Sequence, residues 1–369
     1  METLNSIVGE ISSWVWGLPT IVLLLGTHIF LTIRLRFPQR HILKAIKLSF
    51  SKDKDAEGEV SQFGALTTAL AATIGTGNIV GVGTAVALGN FDGLHKGHMS
   101  VLEKALSFRE SGYVPTVILF DVHPKEVLTG QKVKRLLTPE QTQKSLEEMG
   151  FEICEISFNE VKDFTPERFF DEILIKKLNA KALCCGFNYS FGKKGEGDCN
   201  RLLTLSQKAG IECCVQPETK IENQAVSSTA IKDFILGGEP HRAAQMLGRN
   251  YSFTSQVIHG DQRGRELGFP TANQKIDDCL VVPKYGVYET LVSVDGKKYR
   301  GVTNIGIRPT YLLDTVLSET NILGFSGDIY SKKITVELVK YLREERRFSS
   351  AESLINQLND DVKLVSEDE

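Results

Sequence analysis

Residues 85–98 read Ala85-Val86-Ala87-Leu88-Gly89-Asn90-Phe91-Asp92-Gly93-Leu94-His95-Lys96-Gly97-His98. The apolar run Ala85–Leu88 has the length of a short buried strand, a glycine-containing turn follows, and a helix is expected near His98–Glu110. Glycines let a backbone approach a phosphate, and a helix start offers free N–H groups at the positive end of the dipole. His95 and His98 place two imidazoles at that point. The arrangement suits an α-phosphate under attack while pyrophosphate leaves. A P-loop lysine motif is absent, which excludes a Walker-type ATPase.

Downstream, strands are expected at Thr116–Phe120, Ile153–Phe158, Leu183–Gly186 and Ile211–Val215. Helical patterns near Pro139–Met149, Pro166–Leu178 and Asp198–Lys208 separate them. Such alternation predicts an α/β fold, a Rossmann-like parallel sheet with helices on both faces, whose ligands sit beyond the C-terminal strand ends. After a helical bridge, His241–Leu247, the pattern turns to β over Ser252–His259, Val287–Val294, Tyr299–Ile305 and Ile334–Leu342. Gly, Pro and Asp punctuate these runs, which predicts a small antiparallel barrel. The expected divisions are 1–84, 85–240 and 241–369.

Composition narrows the function classes. With 41% hydrophobic and 24% charged residues, the 369-residue chain is neither disordered nor a polytopic membrane protein. A net charge of −3, from 43 basic and 46 acidic residues, leaves no footprint for nucleic acid. The seven cysteines are odd in number and form no CxxC, so neither a disulfide framework nor a structural zinc site is expected, and a reducing cytosol is.

The N-terminal part differs. Trp14–Ile33 carries no formal charge and is long enough to span roughly 30 Å of hydrocarbon. Arg34, Arg36, Arg40, Lys44 and Lys47 follow it, so a membrane-inserted helix 14–33 would leave its C-terminal flank in the cytoplasm. A buried soluble helix is the alternative. Ile33-Arg34-Leu35-Arg36-Phe37 and the Ala/Thr/Gly-rich stretch Ala65–Val82 closely resemble the start of a sodium:alanine/glycine symporter. Only the first two or so helices of that family are covered, so a remnant is expected, not a working transporter. Thr84–Gly89 fits both this pattern and the one that follows it.

From about Val86 onward, the chain resembles bacterial bifunctional riboflavin kinase/FAD synthetases. Gly89–His98, Phe120-Asp121-Val122-His123-Pro124, Gly186–Asp198 and Val226–Lys232 match the nucleotidyltransferase half. That resemblance implies transition-state stabilisation by His95 and His98 as FMN attacks the α-phosphorus of ATP. It implies nucleotide or phosphate binding by Gly89, Asn90, Phe91, Asp92, Gly93, Gly97, Ser227, Ser228, Thr229 and Lys232, and flavin or nucleotide contact by Asn188. Lys232 stands where arginine is usual and lacks the guanidinium fork. Leu247–Tyr251 and Gly268-Phe269-Pro270-Thr271-Ala272-Asn273 resemble the riboflavin kinase half. There the resemblance implies Mg²⁺ and ATP phosphates on Thr271 and Asn273, with Pro270 in the same motif and Gly264 and Gly268 letting the loop close. It implies Glu319 as the base for the riboflavin 5′-hydroxyl and Arg343 beside the flavin. Asn321 and Gly324 depart from the family's histidine and aspartate.

Riboflavin, FMN and ATP are therefore the expected substrates, with Mg²⁺ as cofactor. A membrane-anchored or transporter-derived protein, and an adenylyltransferase for another small molecule, are the competing expectations. Deletion of residues 1–80 is expected to leave a soluble chain that still makes FMN and FAD from riboflavin and ATP. Chromatography of the products checks this, and loss of both would show that the deleted segment is required.

Overall fold

The computed structural model describes residues 83–260, 264, 267–309 and 314–367. The expected span 14–33 and nearly all of the transporter-like segment lie outside the described residues. Among the described residues, no helix is long and apolar enough to cross a membrane.

Strand β1 (Thr84–Leu88) is buried at every residue. Its side chains alternate between two apolar layers. Val86 and Leu88 pack with Ile118, Leu183, Phe170 and Leu174, whereas Ala85 and Ala87 pack with Val117, Ala182, Leu102 and Leu146. A strand covered on both faces needs helices on both sides of its sheet. Lys96–Ser107 and Pro139–Glu148 supply Leu102 and Leu146 to one layer. Pro166–Phe169, continued as π-helix over Phe170–Lys177, and Cys199–Ala209 cover the other.

The remaining strands are β2 (Val114–Phe120), β3 (Glu152–Ile156), β4 (Ala180–Gly186) and β5 (Glu212–Gln216). All are parallel, in the order β3-β2-β1-β4-β5. Order reverses between β1 and β4, the switch point at which such sheets bind ligands. Leu88 pairs with Cys185, so the loops that open at Gly89 and Gly186 leave the sheet side by side.

A two-stranded hairpin, β6 (Lys220–Ile221) and β7 (Gln224–Ala225), and the helices Ser228–Gly237 and Pro240–Leu247 lead to the second sheet. Its strands are β8 (Tyr251–Ile258), β9 (Thr271–Lys275), β10 (Gly286–Val294), β11 (Lys297–Pro309), β12 (Asp314–Ile322) and β13 (Lys333–Arg343). They close into a barrel in the order β10-β11-β12-β9-β8-β13. The expected α/β class holds, with two more barrel strands than the apolar pattern reveals. The inward residues of β9 and β12 explain the gap. Gln274 lies in the barrel and donates to the carbonyls of Ser255 and Ile334 at 2.8 and 3.0 Å. Thr290, Thr303 and Thr320 form a buried hydroxyl ladder with spacings of 2.9 and 3.0 Å. Polar residues that satisfy one another occupy positions where a period-2 apolar signal is sought.

The C-terminal helix runs over Ala351–Glu367. Val365 packs with Val287 and Val302 on the barrel.

One segment ties the parallel sheet to the barrel. Arg135 donates its amide to the Cys279 carbonyl at 2.7 Å and accepts from Val281 at 2.8 Å. Beside it, Leu136 is buried in the apolar cluster of the barrel. Leu136→Ala is expected to lower unfolding stability by about 2–5 kcal/mol through the cavity it leaves. Denaturant titration of the full chain measures this, and a loss below about 1 kcal/mol would contradict a packed role.

Candidate active sites

The turn after β1 is built from strained and glycine backbone. Phe91 (φ 51°) and Leu94 (φ 45°) adopt left-handed conformations that side chains rarely take. Gly93 (φ 86°) lies against Leu136, whose Cδ1 would be 2.6 Å from an added Cβ. Such backbone persists only where its surroundings hold it. Asp92 supplies that hold. Its Oδ1 accepts the Leu136 amide at 2.8 Å, and its Oδ2 lies 2.5 Å from Lys232 Nζ. Ser228 donates to the Asp92 carbonyl at 2.9 Å, and Arg249 donates to the Gly93 carbonyl at 2.9 Å.

The helix that begins at Lys96 is capped by His95. Its Nδ1 accepts the His98 amide at 3.2 Å, so one of the free N–H groups expected here is already taken. With Nδ1 accepting, the neutral ring carries its hydrogen on Nε2. The His95 and His98 rings stack, with centroids 3.5 Å apart and planes at 16°, and Phe91 meets His98 edge-on at 5.4 Å. Burial lowers His95 to about 4, partly opposed by Asp92. Burial, then the charge of His95, holds His98 well below the usual imidazole range. Both rings are neutral at pH 7.

Ser227 caps the helix Ser228–Gly237 by accepting from the Ala230 amide at 3.2 Å, and Thr229 is exposed at the same helix start. Ser228 and Lys232 therefore reach the Asp92 turn, whereas the Ser227 hydroxyl is engaged locally. Asn188 is exposed in the loop after β4. The Cys199 thiol braces that loop from below through the carbonyls of Gly186 and Phe187, at 3.1 and 3.3 Å.

His123, within the Phe120–Pro124 match, has no role assigned to it from the sequence. Its Nδ1 accepts the Lys125 amide at 3.1 Å, its Nε2 lies 3.0 Å from the Asn90 side-chain amide, and burial lowers its pKa. Gly89, Asn90, Asp92, His123 and Arg135 line a cleft of about 100 Å³ beyond the ends of β1 to β3. The signal available was a histidine before proline at a helix start.

In the barrel, Glu319 pairs directly with Asn273, and Asn321 with Thr271. Paired residues share a face, so the expected base Glu319 and the two expected metal-side residues, Thr271 and Asn273, are brought together. Asn273 is buried, and its Oδ1 has no hydrogen-bond partner. Gly260 leaves room for it, since an added Cβ would meet the Asn273 amide at 2.5 Å. Phe269 donates its amide to the Gly264 carbonyl at 2.8 Å, Gly268 is left-handed (φ 86°), and Pro270 is exposed.

The two departures have physical accounts. Asn321 donates to the Pro270 carbonyl at 2.8 Å, tying β12 to the loop before β9. Gly324 is left-handed (φ 69°), a conformation that glycine adopts freely. Arg343 is engaged by the C-terminal helix, with Nε and Nη2 bonding Asp361 at 2.9 and 2.7 Å. Among the described residues, no group of three or more His, Cys, Asp or Glu side chains could hold a metal ion.

Comparisons with known proteins bear on both arrangements. Family models for FAD synthetase and riboflavin kinase match residues 80–230 and 247–367, and the sodium:alanine symporter family matches residues 1–93. The bifunctional riboflavin kinase/FMN adenylyltransferase of Listeria monocytogenes is 35% identical, over 75% of this chain and 89% of that protein. Its counterpart in Escherichia coli K12 is 33% identical, over 77% of this chain and 92% of that protein. A crystal structure of a protein described as a macrolide-efflux protein from Streptococcus pneumoniae superposes with a TM-score of 0.72 at 30% identity, covering 78% of this chain and 94% of that one. On these similarities, the chain belongs to the bifunctional riboflavin kinase/FMN adenylyltransferase family.

Proposed function

We propose that the chain phosphorylates riboflavin to FMN and adenylylates FMN to FAD at two separate sites, the first within residues 241–369 and the second within 85–240. The observation that carries this reading is a pair of independently built polar centres, the Asp92 turn on a parallel sheet and the Asn273–Glu319 pair on a closed barrel.

In the adenylylation site, an FMN phosphate oxygen attacks the α-phosphorus of ATP as the bond to pyrophosphate breaks. His95 and His98, neutral when empty, donate ring N–H groups to phosphate oxygens. Lys232, held at the turn by Asp92, brings a positive charge toward the leaving phosphates. Asn188 meets the flavin or nucleotide from the neighbouring loop. Preorganised donors of this kind supply stabilisation without reorganisation during the reaction.

In the kinase site, Glu319 takes the proton from the riboflavin 5′-hydroxyl as its oxygen bonds to the γ-phosphorus and ADP departs. The buried, unpartnered Asn273 Oδ1 and the Thr271 hydroxyl on the same strand face are neutral oxygens suited to a hard cation that keeps phosphate ligands. Mg²⁺ held there would neutralise charge on the phosphates.

His98→Ala is expected to reduce FAD formation from FMN by about 100-fold or more and to spare FMN formation. Glu319→Ala should do the reverse when FMN is supplied. Chromatography separates the products, and equal loss of both activities in both variants would refute the two-site assignment.

Stability should also depend on pH through His95. The unfolded imidazole titrates near 6.5 and the folded one at about 4, so the unfolded chain takes up the proton first. The contribution is complete above pH 6.5 and drains away as pH falls toward 4. Urea midpoints should fall across that window, and fall less in His95→Asn, which keeps a capping side chain. Identical pH slopes would count against a buried neutral ring.

A further inference from the structure

Asn304, on β11, has no assigned role. It pairs directly with Glu319, which pairs on its other side with Asn273. Cβ atoms of such partners are roughly 4.5–5.5 Å apart on one face. The three residues therefore form a row with the carboxylate in the middle.

The two ends of the Asn304 amide are in different situations. Nδ2 donates to Glu345 Oε1 at 3.0 Å. Oδ1 is sealed from solvent and has no hydrogen-bond partner. Gly306 keeps the seat of Glu345 open, since a Cβ there would collide with the carboxylate. With Nδ2 committed to a carboxylate, the amide cannot turn over without placing two acceptors against each other, so an acceptor is fixed beside the base. Buried acceptors in folded proteins are nearly always satisfied, and one left open in a polar row points to a donor that arrives with a ligand.

A polyol provides that donor. When its terminal hydroxyl lies against Glu319, the hydroxyl on the adjoining carbon is within reach of the neighbouring strand. We propose that Asn304 reads the ribityl chain. Its Oδ1 accepts a hydrogen bond from the hydroxyl next to the one phosphorylated, and Glu345 is a positioning residue that fixes the direction of the amide. This rests on the placement of the riboflavin 5′-hydroxyl at Glu319.

The test compares steady-state phosphorylation of riboflavin and of 4′-deoxyriboflavin by the full chain, with FAD formation from FMN as a check on folding. The unsubstituted protein should prefer riboflavin in kcat/KM by roughly 10- to 100-fold. Asn304→Ala should bring the two substrates within about threefold, because the deleted interaction cannot be lost twice. Glu345→Gln should narrow the preference part of the way. An unsubstituted protein that does not discriminate, or an Asn304→Ala variant that keeps the full preference, overturns the proposal. Should Asn304→Ala also lose FAD formation, Glu345→Gln decides: a narrowed preference supports the proposal and an unchanged one overturns it. Undiminished FMN formation by Glu319→Ala would instead overturn the assignment of the base, an outcome separate from the substrate preference.

Discussion

A carboxylate withdrawn from water must find its partners inside the protein, and Asp92 governs much of this molecule for that reason. One oxygen requires the Leu136 amide and the other the Lys232 ammonium, while its own carbonyl receives the Ser228 hydroxyl. The glycine turn, the helix Ser228–Gly237 and the segment that enters the barrel cluster meet at this one residue. Strain at Phe91 and Leu94 is tolerable because the turn between them is held from several directions. Loss of any one partner would leave buried polarity unanswered and loosen the others.

The two centres share an electrostatic strategy. Buried neutral imidazoles face one, and neutral amides with sealed side-chain oxygens flank the carboxylate of the other. ATP brings its own charge. Neutral groups that are already oriented, some with hydrogen-bonding capacity unspent, can receive that charge without first breaking a strong internal contact. Lys232 is the exception, since its ammonium is paired in advance with Asp92 and, on the proposed mechanism, would be shared with an arriving phosphate.

Much of this was legible in the residues. Buried parallel strands are short apolar runs, and β1 to β5 were each found within a few residues because alternating helices separate them. The candidate sites were legible wherever chemistry-bearing residues cluster in the chain, as in Gly89–His98 and Gly268–Asn273. Partners brought together from distant segments were not. Nothing near Asp92 in the sequence names Leu136 or Lys232 as its ligands, and Asn304 and Glu345 acquire meaning only through the register of β11 and β12. Strands β9 and β12 were missed because Gln274, Ser318 and Thr320 occupy inward positions. The helix Ser228–Gly237 was missed because its motif was read for its hydroxyls and not for its period.

The direction of β1 carries one more implication. The chain enters that strand at Thr84, whose hydroxyl is anchored on the Leu178 carbonyl, and leaves it at Leu88 into the Asp92 turn. A central parallel strand of this kind is threaded in one sense, so whatever peptide precedes Thr84 joins the sheet at the rim farthest from the chemistry. A change of peptide upstream of Thr84 therefore reaches the Asp92 turn only through the size and alternation of the five buried residues between them.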